Sequence, residues 1–138
     1  FETVVVETNN VILRVPATEG CESWPIVCLQ VHTDMVPVNA DEIDHDFKTM
    51  PIVPRSDGEW LKATQTTLGQ DNGIGIAMAV DAAIEPGAKH GPLEILRTSD
   101  EEVGLSGASA IKPGFVQSQY IIKLDSEEAN ALCYGSAG

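Results

Sequence analysis

Six residues of this chain are of types that could do chemistry together: His32, Asp34, Asp71, Glu101, Glu102 and Asp125. One histidine with several carboxylates, and no cysteine among them, is the ligand set for a borderline-to-hard cation such as zinc, manganese or cobalt. Asp34 stands two residues beyond His32, on the same side if the strand continues, where it can orient the imidazole. Glu101 and Glu102 are neighbours at a strand end and point in different directions, so one can bind a cation while the other holds a proton. Desolvation and like-charge crowding would raise that second carboxylate's pKa towards a general base's working range. A metal-bound water with a pKa near ~7 beside such a base is a hydrolytic nucleophile. Singly, each residue has a plainer reading: a hydrogen-bonded histidine, a solvated acidic turn, an aspartate capping a helix. The case rests on where the elements bring them.

Residues 3–7 and 11–15 are β-rich runs around Thr8-Asn9-Asn10, a hairpin with asparagines at the tight positions. Residues 16–25 form a loop punctuated by Gly and Pro. The apolar run 26–31 has the length of a buried strand and leads straight into His32-Thr33-Asp34. From 37 to 58 the pattern dissolves into acids, prolines and turn residues, which predicts a long excursion with little regular structure. Residues 71–84 predict a helix, capped by Asp71 or Asn72 and stopped by Glu85-Pro86-Gly87. Its apolar residues lie all round, which predicts burial on every side. Gly73 and Gly75 lower its helix propensity, so close backbone approach is expected there. Residues 93–97 and 120–124 are further strands, running into the acidic stretches that hold Glu101-Glu102 and Asp125, and 131–134 would be another. Three apolar strands thus end in ligand-type residues and a helix begins with one. In α/β sheets functional groups gather at the carboxyl ends of strands, so the six residues should share one edge.

Composition narrows the partners. The 138 residues suit a single domain, and 43% apolar against 21% charged residues is enough to build a core. Twenty-one acidic against eight basic side chains give a net charge of −13, which repels phosphate backbones and anionic headgroups and argues against nucleic acid and membrane as partners. No apolar run approaches the ~20 residues of a membrane span. Cys21, Cys28 and Cys133 are odd in number with no CxxC spacing, as expected of reduced thiols in a cytoplasmic protein. Neither Cys28 nor Cys133 has the helix-start or histidine context of a cysteine hydrolase. The chain opens at Phe1, inside a strand, as a piece of something longer would.

The stretch Val27-Cys28-Leu29-Gln30-Val31-His32-Thr33-Asp34-Met35-Val36-Pro37 resembles the first metal motif of the di-zinc metallopeptidases of the aminoacylase and carboxypeptidase-G type. Within that family it is most similar to the aminoacyl-histidine dipeptidases, also called cytosol non-specific dipeptidases. The likeness continues through His45-Asp46-Phe47, Asp57-Gly58-Glu59-Trp60, Thr66-Thr67-Leu68-Gly69-Gln70-Asp71-Asn72-Gly73-Ile74-Gly75 and His90-Gly91-Pro92-Leu93-Glu94. It runs on through residues 98–104 and Asp125-Ser126-Glu127-Glu128 to Gly135-Ser136-Ala137-Gly138. The resemblance implies that His32 and Asp125 hold one zinc, that Asp71 bridges two, and that Glu102 binds the second. It implies that Glu101 is the general base, that Asp34 clamps His32, and that the Asp71-Asn72 peptide is cis. Two zincs ~3.5–4 Å apart would share a nucleophile and polarise the scissile carbonyl, with Mn2+ or Co2+ as substitutes. His45 and His90 are expected to be structural, Cys28 a small core residue, Glu127 and Glu128 solvated or behind the ligands, and Trp24 and Trp60 covers for the core.

The fold so implied is α/β, a mixed sheet with flanking helices, in a truncated zinc-peptidase catalytic domain. Residues 1–138 would be its N-terminal part, without the lid and dimerisation domain or the C-terminal half. The family's further histidine ligand, near the end of the catalytic domain, has no counterpart, since no histidine follows His90. One expectation is therefore metal-dependent hydrolysis of Xaa-His or broader dipeptides by a di-zinc-activated water, incomplete in this chain alone. The alternative is a catalytically inactive relative serving as a metal-binding or self-assembling structural module, forming homo-oligomers through an exposed sheet edge.

Overall fold

The computed structural model describes residues 2–5, 8–126 and 131–135. Strand β1 (Glu2–Val5) pairs antiparallel with β2 (Val11–Val15), Val5 opposite Val11. Between them Asn9 takes a left-handed φ of 59°, which asparagine tolerates better than most residues. The apolar run after the Gly/Pro loop is β3 (Val27–His32). The end of the excursion that follows holds more order than its composition predicts: β4 (Pro54–Asp57) lies in it and pairs antiparallel with β5 (Trp60–Ala63), just beyond it, as a hairpin. Gly58 turns it at a φ of 62°. The Asp-Gly signal for such a turn is in the sequence, but exposed charges and a proline hide the alternation that would mark the strands.

Helix α1 (Gln70–Ile84) follows, then β6 (Leu93–Thr98), the short helix α2 (Ser106–Ser109) and β7 (Tyr120–Lys123). Among the described residues the main sheet has five strands in the order β1-β2-β6-β3-β7. β6, β3 and β7 run parallel to one another, while β2 is antiparallel to β6. The fold is thus α/β with a mixed sheet and flanking helices. Residues 131–135 are not a strand. A strand needs a ladder partner, and the Leu132 and Tyr134 side chains here lie open to solvent.

Side chains alternate across a strand, and this decides what each face buries. Val15, Leu29, Val31, Leu93 and Ile95 meet Ala79 of α1, flanked by Ile76 and Ala83. The other face carries Ile12, Cys28 and Leu96, all buried, and the buried carboxylate Glu94. Glu94 is paired with Arg14 Nε at 3.3 Å and accepts backbone N–H groups from Gln117 and Ser118 at 2.9 and 3.0 Å. A buried charge is tolerable only with such partners, and they tie the loop before β7 down over the sheet.

Three expectations need correction. α1 is not buried on every side: Ile74, Met78 and Ile84 are exposed, because the helix lies on β3 and β6 and nothing described here packs on its outer face. Neither Asp71 nor Asn72 caps it; Gly69 holds that position with a φ of 84° and no side-chain cap, since both side chains are engaged elsewhere. Trp60 is 72% exposed on the hairpin and Trp24 is also exposed, so neither covers the core. The helix does end at Glu85, whose N–H donates to the Asp81 carbonyl at 2.8 Å. Cys28 is a core residue with no exposed surface.

Candidate metal centre

Parallel pairing of β3 with β6 and β7, with His32 opposite Thr98 and Gln30 opposite Lys123, puts three carboxyl ends on one edge. His32 closes β3, Glu101 and Glu102 lie just beyond β6, and Asp125 lies two residues beyond β7. Asp71 enters from the start of α1, where it and Asn72 leave helical geometry and the peptide between them is cis. Asn72 is buried and secures this arrangement. Its Oδ1 accepts the His32 N–H at 3.2 Å and its Nδ2 donates to the Leu124 carbonyl, joining α1 to β3 and β7.

His32 is 1% exposed. Its Nδ1 lies 2.9 Å from the Asp34 carbonyl, an acceptor, so that nitrogen carries the hydrogen. In the neutral ring Nε2 then presents a lone pair, and it faces Asp71 Oδ1 at 3.0 Å and Asp125 Oδ1 at 3.8 Å. Two acceptors at 3.0 Å require a proton or a cation between them. Burial disfavours the proton on His32, but the Asp71 bond, the Asp125 charge, the Asp34 carbonyl and the Glu101 charge together outweigh it and raise the pKa. Glu102 completes the group: His32, Asp71 and Glu102 each offer a donor atom within 4.8 Å of the others. Its carboxyl is raised by desolvation and then by the Asp71 charge, against the pull of His32. One imidazole nitrogen facing crowded carboxylates fits a divalent cation.

The remaining acids stand around this core. Asp34 meets His32 Nδ1 through its backbone carbonyl, while its carboxylate Oδ1 lies 3.6 Å away. Its Oδ2 accepts the Glu102 N–H at 3.0 Å. Burial pushes the Asp34 pKa up, but the backbone N–H groups of Glu102 and Glu101 and its own prevail, aided by His32, and it is lowered. Glu101 Oε1 receives Lys123 Nζ at 3.3 Å, and the same ammonium lies 2.9 Å from Asp125 Oδ2. All six residues expected at this edge are therefore there, Asp34, Glu101 and Asp125 outside the tightest group. His45 packs edge-on against Phe47, and His90 sits beside the Thr18 loop, its backbone bonded to that residue. Glu127 and Glu128 lie outside the described residues.

Sequence reasoning missed three residues that build the site. Lys123 looks like surface charge on a strand, and Asn72 looks like a helix cap. Asn10 looks like a turn residue, yet it is fully buried: its Oδ1 accepts the Ser99 N–H at 3.1 Å and its Nδ2 donates to the Gly107 carbonyl at 2.7 Å. It thereby holds both ends of the loop that carries Glu101 and Glu102. No local pattern announces contacts so distant in sequence.

No protein-family model matches the chain. It is 45% identical over 132 residues to the cytosol non-specific dipeptidase of Escherichia coli, a match covering 96% of this chain and 27% of that protein. The solved aminoacylhistidine dipeptidase of Vibrio alginolyticus superposes with a TM-score of 0.88 at 43% identity, covering 94% of this chain and 26% of that one. The aminopeptidase PepT of Bacillus cereus gives 0.75 at 25% identity, covering 92% of this chain and 34% of that one. A tripeptidase of Staphylococcus aureus, at 20% identity and a TM-score of 0.72, shares the fold. Over nearly its whole length, then, the chain is a homologue of a dipeptidase and carries the fold of a solved one, spanning about a quarter of each.

Proposed function

We propose that residues 1–138 are the N-terminal part of the catalytic domain of a cytosolic, metal-dependent dipeptidase, acting on Xaa-His or a broader range of dipeptides. The observation that carries this reading is the convergence of His32, Asp71 and Glu102 donor atoms within 4.8 Å, in a chain 45% identical to a dipeptidase. His32, Asp71, Glu102 and Asp125 would hold the metal, and the bridging role for Asp71 that the resemblance implies is part of this proposal. When bound, zinc, or manganese or cobalt in its place, supplies Lewis acidity towards a scissile carbonyl and makes water acidic enough to attack near neutral pH.

The chain's own residues do the rest. Asp34 keeps the hydrogen of His32 on Nδ1, so that Nε2 is the donor. Glu101 is the general base. With Lys123 on Oε1, the proton taken from the attacking water is carried on Oε2 and passed to the nitrogen of the leaving amine. Nucleic acid and membrane are not proposed as partners: the charge of −13 opposes both, and among the described residues no helix is long and apolar enough to cross a membrane.

In the full natural chain, Glu101→Gln should retain the metal and lose ~10²–10⁴ of turnover on Xaa-His dipeptides. Asp71→Asn should lose metal by elemental analysis. Activity that survives Glu101→Gln refutes the base, and unchanged metal content in Asp71→Asn refutes the ligand. A wild-type chain that binds metal and self-associates without hydrolysing any dipeptide would instead be a metal-binding structural module.

A further inference from the structure

Lys123 touches more at this edge than Glu101 Oε1, the contact used in the proposed reaction. Its Nζ bridges two acids, 2.9 Å from Asp125 Oδ2 and 3.3 Å from Glu101 Oε1. Among the described residues no other lysine or arginine pairs with the acids of the site. Its own side chain is 51% exposed, but the carboxylates it joins are only 19% and 20% exposed, so the pair is less screened than an open surface bridge. Asp125 divides its two oxygens: Oδ2 faces the ammonium and Oδ1 faces His32 Nε2 at 3.8 Å. The carboxylate that flanks the donor group beside His32 Nε2 is therefore already held by a fixed positive charge.

We propose that Lys123 is a built-in counter-cation that weakens divalent-metal binding at this site, sharing Asp125 with the metal while keeping Asp125 and Glu101 together. The inference rests on the metal reading above. A cation bound beside His32 and Asp125 meets the ammonium across a single carboxylate. Even at a water-like dielectric, a dication and an ammonium a few ångströms apart repel enough to change affinity on the order of tenfold. The outcome is a site whose acids stay gathered without metal and whose metal exchanges more readily than five carboxylates alone would allow.

The test is Mn2+ binding, by equilibrium dialysis or calorimetry, to the chelator-stripped full natural chain and three variants. Lys123→Met and Lys123→Gln should each bind Mn2+ on the order of tenfold more tightly than wild type. Lys123→Arg, which keeps the charge, should stay within about twofold. The gain should shrink in ~1 M KCl, where the screening length is ~3 Å. Binding no tighter in Lys123→Met and Lys123→Gln overturns the inference and leaves the metal reading standing. Tightening in Lys123→Arg equal to that in Lys123→Gln overturns it too, because charge would not be the cause. Failure of wild type and every variant to bind Mn2+ overturns the metal reading, and this inference with it.

Discussion

Asp34 serves two neighbours through different atoms: its carbonyl faces His32 Nδ1 at 2.9 Å and its carboxylate accepts the Glu102 N–H at 3.0 Å. Truncating the side chain leaves the first contact and removes the second. Asp34→Ala should therefore weaken metal binding ~10–100-fold through the Glu102 loop, and Asp34→Asn, which keeps an acceptor, should lose less. Calorimetric titration with Zn2+ measures both, and an equal loss would mean that charge, not the bond, is what matters. Away from the site, burial first and the Glu94 charge second push the Cys28 thiol up to about 11 from an ordinary 9.0. The folded chain thus holds this proton more tightly than the unfolded one. The linked stability is full below pH 9.0 and is lost as pH rises towards 11. Urea denaturation across that window should fall less steeply for Cys28→Ala than for wild type. At pH 8 a thiol reagent should modify exposed Cys133 well before buried Cys28.

At the scale of elements, the site depends on how closely α1 can approach the end of β7. A Cβ on Gly75 would collide with the Leu124 carbonyl and lie 2.6 Å from Asn72 Oδ1, whereas one on Gly73 would meet nothing within 4 Å. Gly75→Ala should cost ~1–3 kcal/mol in urea denaturation by forcing the helix outward and should weaken metal binding as Asn72 lets go of His32. Gly73→Ala should be neutral or stabilising by up to ~1 kcal/mol, from helix propensity alone. Both glycines looked alike in the sequence, and only one is there for contact. The same limit governed the rest. Strand ends followed by His32, Glu101-Glu102 and Asp125 were legible because apolar runs and acids contrast sharply along the chain. The β4–β5 hairpin was not, because its side chains are almost all exposed and leave no alternation. Nor was the fixing of the Glu101-Glu102 loop by Asn10, which depends on a partner 97 residues away.

The whole molecule sets an apolar surface against a strong net charge. Tyr120, Ile121 and Ile122 of β7 are all exposed. Successive side chains on a strand point to opposite faces, so among the described residues neither face of β7 is covered, and there it is also an edge of the sheet. An uncovered apolar edge strand is a template for pairing with another chain. Opposing this, each copy carries −13, and charges of that sign repel over a Debye length of ~10 Å at 0.1 M salt but only ~3 Å at 1 M. The two effects give the 138-residue segment, expressed alone, a definite salt response: association should strengthen as ionic strength rises. Sedimentation velocity at several concentrations should show a 14.7 kDa species giving way to larger ones, more so in high salt. Ile121→Lys places a charge on the bare edge and should restore the small species under the same conditions. A single small species at every concentration and salt would mean that charge and side-chain bulk already guard β7. Association in low salt that high salt dissolves would point instead to ion pairs between copies.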